Sequence, residues 1–90
     1  MSTIPWRVIK VKPLTNYRLR VKFIDGTEGF VKMSNLVMSD NAGIFVNLKD
    51  LSIFNQVYLS HGIVTWPGEI ELAPDTMYYE IKYKGEWILR

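Results

Sequence analysis

The sequence predicts an α+β fold: a single small, mainly antiparallel sheet with a three-strand N-terminal meander, and two short helices packed on one face. Three observations carry this reading. Apolar and charged residues alternate with period 2 through much of residues 6–33, the pattern of half-buried strands. Asp25-Gly26 falls between two such runs, where a hairpin needs a residue that accepts positive φ. Further on, Ala73-Pro74-Asp75 precedes apolar residues at helical spacing.

The elements follow in order. Residues 6–14 set Ile9 and Val11 against Lys10 and Lys12. In residues 17–23, Tyr17, Leu19, Val21 and Phe23 face one way and Arg18, Arg20 and Lys22 the other. After a type I′ turn at Asp25-Gly26, residues 27–33 return antiparallel. Residues 34–45 contain Asp40-Asn41 and Gly43, which favour turns over regular structure. Asp50 then reads as the N-cap of one or two helical turns, with Leu51 and Phe54 inward. A second hairpin joins 57–60 to 63–66 across Ser60-His61-Gly62, and Glu69–Leu72 is a short strand. Pro67-Gly68 breaks the chain after Trp66. Pro74 suits the first position of a helix, because its missing N–H would have no partner there, and Asp75 beside it suits the positive end of the helix dipole. Trp66, Pro67, Pro74 and Asp75 are therefore structural residues in this reading.

Composition narrows the function classes. The 90 residues make one domain, 1–90, with 48% apolar and 22% charged residues. Three Trp, five Tyr and four Phe give it large rings to bury. With no cysteine there is no thiolate nucleophile, disulfide framework or Cys-ligated zinc. No apolar run approaches the about 20 residues that span a bilayer, and no signal-peptide core precedes the first charges. The expectation is a cytoplasmic protein with no membrane contact. A net charge of +2 is mild for a nonspecific nucleic-acid binder.

Candidate chemistry is sparse. Glu69, Glu71, Asp75 and Glu80 lie close in sequence, but Glu69 and Glu71 share one strand face and read as solvated. His61 stands alone; adjacent Ser60 points to the other side of an extended segment, and a metal site needs several ligands. No phosphate-cradling loop occurs. The expectation is no enzyme and no cofactor. Two surfaces compete as binding sites. Lys10, Lys12, Arg18, Arg20 and Lys22 should share one face of the first two strands, fit for nucleic acid or an acidic protein. No aromatic residue interleaves with them in this reading, which weakens base stacking. The other surface draws on Tyr78 and Tyr79, of which one must be partly exposed, and on Trp87, Ile88 and Leu89. That last segment either pairs as an edge strand of its own domain or docks on another chain.

Val11-Lys12-Pro13-Leu14, Phe23-Ile24-Asp25-Gly26, Leu36, Phe45 to Leu48 with Asp50, Phe54 to Val57, and Trp66-Pro67 through Leu72-Ala73-Pro74-Asp75-Thr76-Met77-Tyr78 stand in a recurring order over about residues 8–80. In this the chain resembles a family of small bacterial domains of unknown function. Glu69, Glu71, and Met33 or Ser34 depart from its pattern. The resemblance implies an α+β fold and no established activity. It also implies an antitoxin-like or regulatory role, since relatives are often encoded beside another small protein in a suspected toxin–antitoxin pairing. The first functional expectation is thus a module that binds another small protein. The second is a nucleic-acid-binding regulator using the basic face. Whether the chain forms a homo-oligomer is left open.

Overall fold

The alternation in the first third of the chain folds as a meander. In the computed structural model, which describes residues 4–90, β1 (Val8–Leu14), β2 (Arg18–Phe23) and β3 (Glu28–Lys32) pair antiparallel in chain order. Leu19, Val21, Phe23 and Val31 are buried as the inward half of the pattern. Ile9 departs from it. The register shifts between Val8 and Lys10, and this bulge sends Val8 into the core while Ile9 is 42% exposed. The Asp25-Gly26 turn also differs from type I′. The Gly26 N–H donates to the Phe23 carbonyl (2.9 Å), and the Phe23 N–H donates to that of Thr27 (2.8 Å). Residues 24–26 therefore form a three-residue loop in which only Gly26 takes positive φ (92°).

Tyr17 lies just outside β2, with φ of 55°, next to Asn16 at 60°. A tyrosine takes this left-handed conformation only where tertiary contacts hold it. Its ring meets Phe54 edge-on at 5.4 Å, and its hydroxyl donates to the Lys49 carbonyl (2.6 Å).

The later strands do not extend the meander, and the expected single sheet is two. β4 (Tyr58–Ser60), β5 (Ile63–Trp66) and β6 (Ile70–Glu71) form a separate sheet in that order. Between β3 and β4 the chain makes α1 (Ser34–Val37), a 3-10 helix (Gly43–Lys49) and α2 (Leu51–Phe54), which bring Val37, Leu48 and Phe54 to the core. The span read as irregular thus holds short helical turns. Asp50 caps α2, its carboxylate accepting from the Ser52 N–H (2.9 Å), but Leu51 is 53% exposed and only Phe54 of that pair faces inward. β4 returns beside β1 without building a ladder to it. The bulge interrupts the β1 edge there, and one backbone bond, Val8 N–H to the Gly62 carbonyl (3.0 Å), ties the sheets. The β4–β5 turn is at His61-Gly62, with φ of 53° and 78°.

The last helix, α3 (Pro74–Lys84), begins with Pro74 in its first turn and carries Met77, Tyr78 and Ile81 inward. Asp75 lies in the first turn and accepts from the Thr76 N–H (2.9 Å). Gly85, at φ 80°, ends the helix and donates to the Ile81 carbonyl (2.7 Å). The chain then enters β7 (Glu86–Ile88), parallel to β3, with Val31 opposite Trp87 and Lys32 opposite Ile88. The first sheet is therefore ordered β1-β2-β3-β7. Of the two fates open to the terminal apolar residues, pairing with the chain's own sheet is the one observed. Trp87 and Leu89 are half-buried against the core, and the Leu89 N–H donates to the Lys32 carbonyl (3.0 Å). Ile88 is turned outward, 40% exposed.

Two contacts lock these layers. Trp66 is completely buried, its indole N–H donating to the Phe54 carbonyl (2.9 Å), with ring centroids 5.9 Å apart. Gly29 lets β3 approach the end of α3: a Cβ there would collide with Ile81 Cγ2 and lie 2.6 Å from the Gly85 carbonyl oxygen. Urea denaturation should show Trp66→Ala destabilised by about 3–5 kcal/mol, through the lost ring volume. Gly29→Ala should lose about 1–3 kcal/mol through overpacking, because a backbone atom is among those that must move. A negligible loss for Gly29→Ala would mean that the contact between β3 and α3 is loose.

Candidate functional site

The β1–β2 register assembles the basic face from the residues upward. Lys10 stands opposite Lys22, and Lys12 opposite Arg20. Arg18 sits at the far end, beside Leu14, and turns onto the adjacent turn: its Nε donates to the Thr15 carbonyl (3.0 Å) and Nη2 to the Thr15 hydroxyl (3.3 Å). Arg20 has a carboxylate nearby, Glu28 on β3, at 3.7 Å. Both groups are well exposed, so this pair contributes little to stability. Among the described residues no carboxylate makes a salt bridge to Lys10, Lys12 or Lys22.

Aromatic side chains do lie beside this charge, contrary to the sequence reading. Phe30 of β3, 38% exposed, is the cross-strand neighbour of Arg20. The inward positions of Gly29 and Val31 force it to the outer face, a signal that strict alternation across residues 28–32 contains. Tyr58, 47% exposed, reaches the same region from β4. Lys10, Lys12, Arg20 and Lys22 line a cleft of about 620 Å³ together with Tyr58 and Leu59.

The second surface follows from how α3 is seated. Tyr78 is buried (3% exposed), so it belongs to the core and not to a contact surface. Its ring meets Phe23 edge-on at 5.1 Å and its hydroxyl donates to the Asp25 carboxylate (2.5 Å). Lys82, one turn along, donates from Nζ to the Tyr78 hydroxyl (3.1 Å) and lies 5.3 Å from the ring centroid. The Tyr78 hydroxyl holds the Asp25 carboxyl below its ordinary range, helped by the Thr27 N–H; the same hydroxyl raises the Lys82 ammonium. This Lys82–Tyr78–Asp25 chain joins residues 53 apart in sequence and was not foreseen. With Tyr78 inward, Tyr79 points out. It stacks on Tyr83, four residues on, at 6.4 Å and 12°, and lies 6.3 Å from Trp6. Tyr83 is 77% exposed. Trp6 and Tyr83 were missed as members of this surface, although the i, i+4 spacing of Tyr79 and Tyr83 is visible in the sequence.

The other singled-out residues lie outside the basic cleft. His61 is exposed in its turn and borders a smaller cleft of about 400 Å³ with Trp6, Arg7 and Pro74. Asp75 does not line it, and no hydrogen bond joins the two side chains. Pro67, Glu69 and Glu71 are exposed on turn and strand, while Pro74 is half-buried. Among the described residues no three His, Cys, Asp or Glu side chains group as a metal site, and no helix is long and apolar enough to cross a membrane.

Together, the two small sheets, the α3 layer and the open surfaces define a small α+β domain. The chain belongs to the family described as "Protein of unknown function (DUF2442)", whose family model matches residues 8–83. No curated protein and no solved structure matches it.

The Asp25 bond makes stability depend on acidity. A carboxylate whose folded pKa is depressed stabilises fully above its unfolded value, near 3.8, and that contribution is lost as the pH falls through the lower folded value. Urea midpoints measured from about pH 6 down to pH 2 should therefore fall more steeply in the wild-type chain than in Asp25→Asn. Asp25→Asn should also be the less stable of the two at neutral pH. Superimposable slopes would show that Tyr78 does not favour the charged form.

Proposed function

We propose that this chain is a non-enzymatic protein-interaction module that binds another small protein in the cytoplasm and neutralises it, in the manner of an antitoxin. The observation that carries this reading is the exposed ring ladder of Tyr79 and Tyr83 on α3, flanked by half-buried Trp6. Tyrosine and tryptophan supply large amphipathic contact area with few rotatable bonds, and they dominate protein-interface energetics. The ladder stands on a helix pinned by Tyr78, so little ordering is needed on association. The antitoxin part rests on the resemblance to domains encoded in suspected toxin–antitoxin pairs.

A second reading, nucleic-acid binding or transcriptional regulation through the basic face, is favoured by the register that sets Lys10 against Lys22 and Lys12 against Arg20. Arg18 adds less to that face, since its guanidinium is engaged by Thr15.

The test begins with affinity capture from the native host. The recovered small protein is purified and titrated calorimetrically against the wild-type chain and against Tyr79→Ala and Tyr83→Ala. At least one substitution should cost about 2 kcal/mol or more of binding energy with folding unchanged. Recovery of nucleic acid alone, lost at moderate salt, would move the function to the basic face. Equal affinity of all three chains would remove the ladder from the interface.

A further inference from the structure

The cleft between the β1–β2 face and β4 has two unlike walls. One carries Lys10 and Lys22 as a cross-strand pair and Lys12 and Arg20 as the next. Like charges directly opposite on neighbouring strands repel; Glu28 of β3 stands opposite Lys22 and 3.7 Å from Arg20, and among the described residues no salt bridge reaches Lys10 or Lys12. The other wall is Val57, Tyr58 and Leu59, two aliphatic side chains and a ring with its hydroxyl. Both bordering strands are sheet edges: β1 pairs only with β2, and β4 only with β5.

We infer that this cleft is a docking groove for an extended, acidic segment of a protein partner, in which carboxylates alternate with apolar side chains. An extended chain presents successive side chains to opposite sides, with same-side residues roughly 6.8 Å apart. Successive basic pairs on β1 and β2 recur with that same strand period, because Lys10 and Lys12 are two residues apart, as are Arg20 and Lys22. A segment lying between the walls therefore sets each second residue, the carboxylate, against a lysine or arginine, and the intervening apolar residue against β4. The unpaired edges of β1 and β4 can also offer main-chain hydrogen bonds to such a segment.

A single-stranded nucleic acid fits less well. Its bases need a succession of stacking platforms, and among the described residues Tyr58 is the one aromatic side chain lining the cleft, with Phe30 beside Arg20 outside it. The net charge of the chain is only +2, mild for a protein that must hold a continuous phosphate backbone. The inference rests on the interaction-module reading and gives the partner's chemistry at a second surface, away from the tyrosine ladder.

The experiment uses the full chain and a short fluorescein-labelled peptide of alternating glutamate and leucine. Two controls accompany it: a peptide of the same residues in two blocks, and labelled oligothymidylate. Anisotropy should show the alternating peptide binding more tightly than either control, weakening as salt rises. Amide shifts in the labelled protein should map to residues 9–12 and 57–59. The double variant Lys12→Glu/Arg20→Glu should weaken binding by at least about tenfold. Should that variant unfold, as checked by circular dichroism, Lys12→Ala/Lys22→Ala serves in its place with the same direction of change. Tighter binding of oligothymidylate, shifts confined to Tyr79 and Tyr83, or an unchanged affinity in the charge variant would each overturn the groove. A native partner that binds the charge variant normally but fails on Tyr79→Ala or Tyr83→Ala would overturn this inference alone and leave the interaction module standing.

Discussion

The position of Tyr78 is the constraint on which the arrangement of this domain depends. Its ring is buried edge-on against Phe23, and its hydroxyl ends on Asp25 in the loop that follows. A buried phenol needs a partner for its O–H, and a carboxylate provides the strong, charge-assisted kind. The contact fixes the rotation of α3 about its own axis. From that rotation it follows that Met77 and Ile81 also face the core, that Tyr79 and Tyr83 face out, and that the C-terminal turn of the helix approaches Gly29. Gly85 then reverses the chain and sends Trp87 alongside Val31 as a parallel edge strand.

Phe23 and Asp25 belong to one of the sequence motifs that carry the family resemblance, and Tyr78 closes another. Trp66, which opens the motif that Tyr78 closes, meets Phe54 of a third motif through the indole N–H and a backbone carbonyl. The residues that mark the family are, at these positions, those that hold remote segments together. They therefore explain the shared fold without specifying an activity. The exposed features, the ring ladder on α3 and the charged cleft, lie largely outside those contacts. A framework held by internal bonds leaves its outer faces free to differ in the partners they fit.

Much of the fold is legible from local pattern. Leu19, Val21, Phe23 and Val31 alternate as a half-buried meander must, Asp50 caps its helix, and Pro74 opens the next. The failures lie where a contact between distant segments overrides local preference. Ile9 is displaced outward by a bulge that local alternation does not announce, and Leu51 is outward because one turn of helix can turn only one face to the core. Tyr17 leaves its strand for a left-handed conformation because Lys49 and Phe54 hold it there. The candidate surfaces divide similarly. The five basic residues could be placed on one face from their spacing, whereas the cleft that four of them line needs β4, which folds back from more than thirty residues away.

By itself, the sequence determined the meander, the second hairpin and the helix begun by Pro74, the inward side of β2 and β3, and that the basic residues share a face. Those properties depend on backbone period and on the side chains of neighbouring residues. Tertiary structure alone decided that the strands divide into two sheets, that β7 joins β3, and that the Tyr78 hydroxyl reaches Asp25. It also placed Tyr58 across from Lys10 and Lys12. The reason is physical: these outcomes turn on packing and hydrogen bonds between residues far apart in the chain. Gly29 against Ile81 and Asp25 against Tyr78 are such pairs, and neither partner's local sequence records the other.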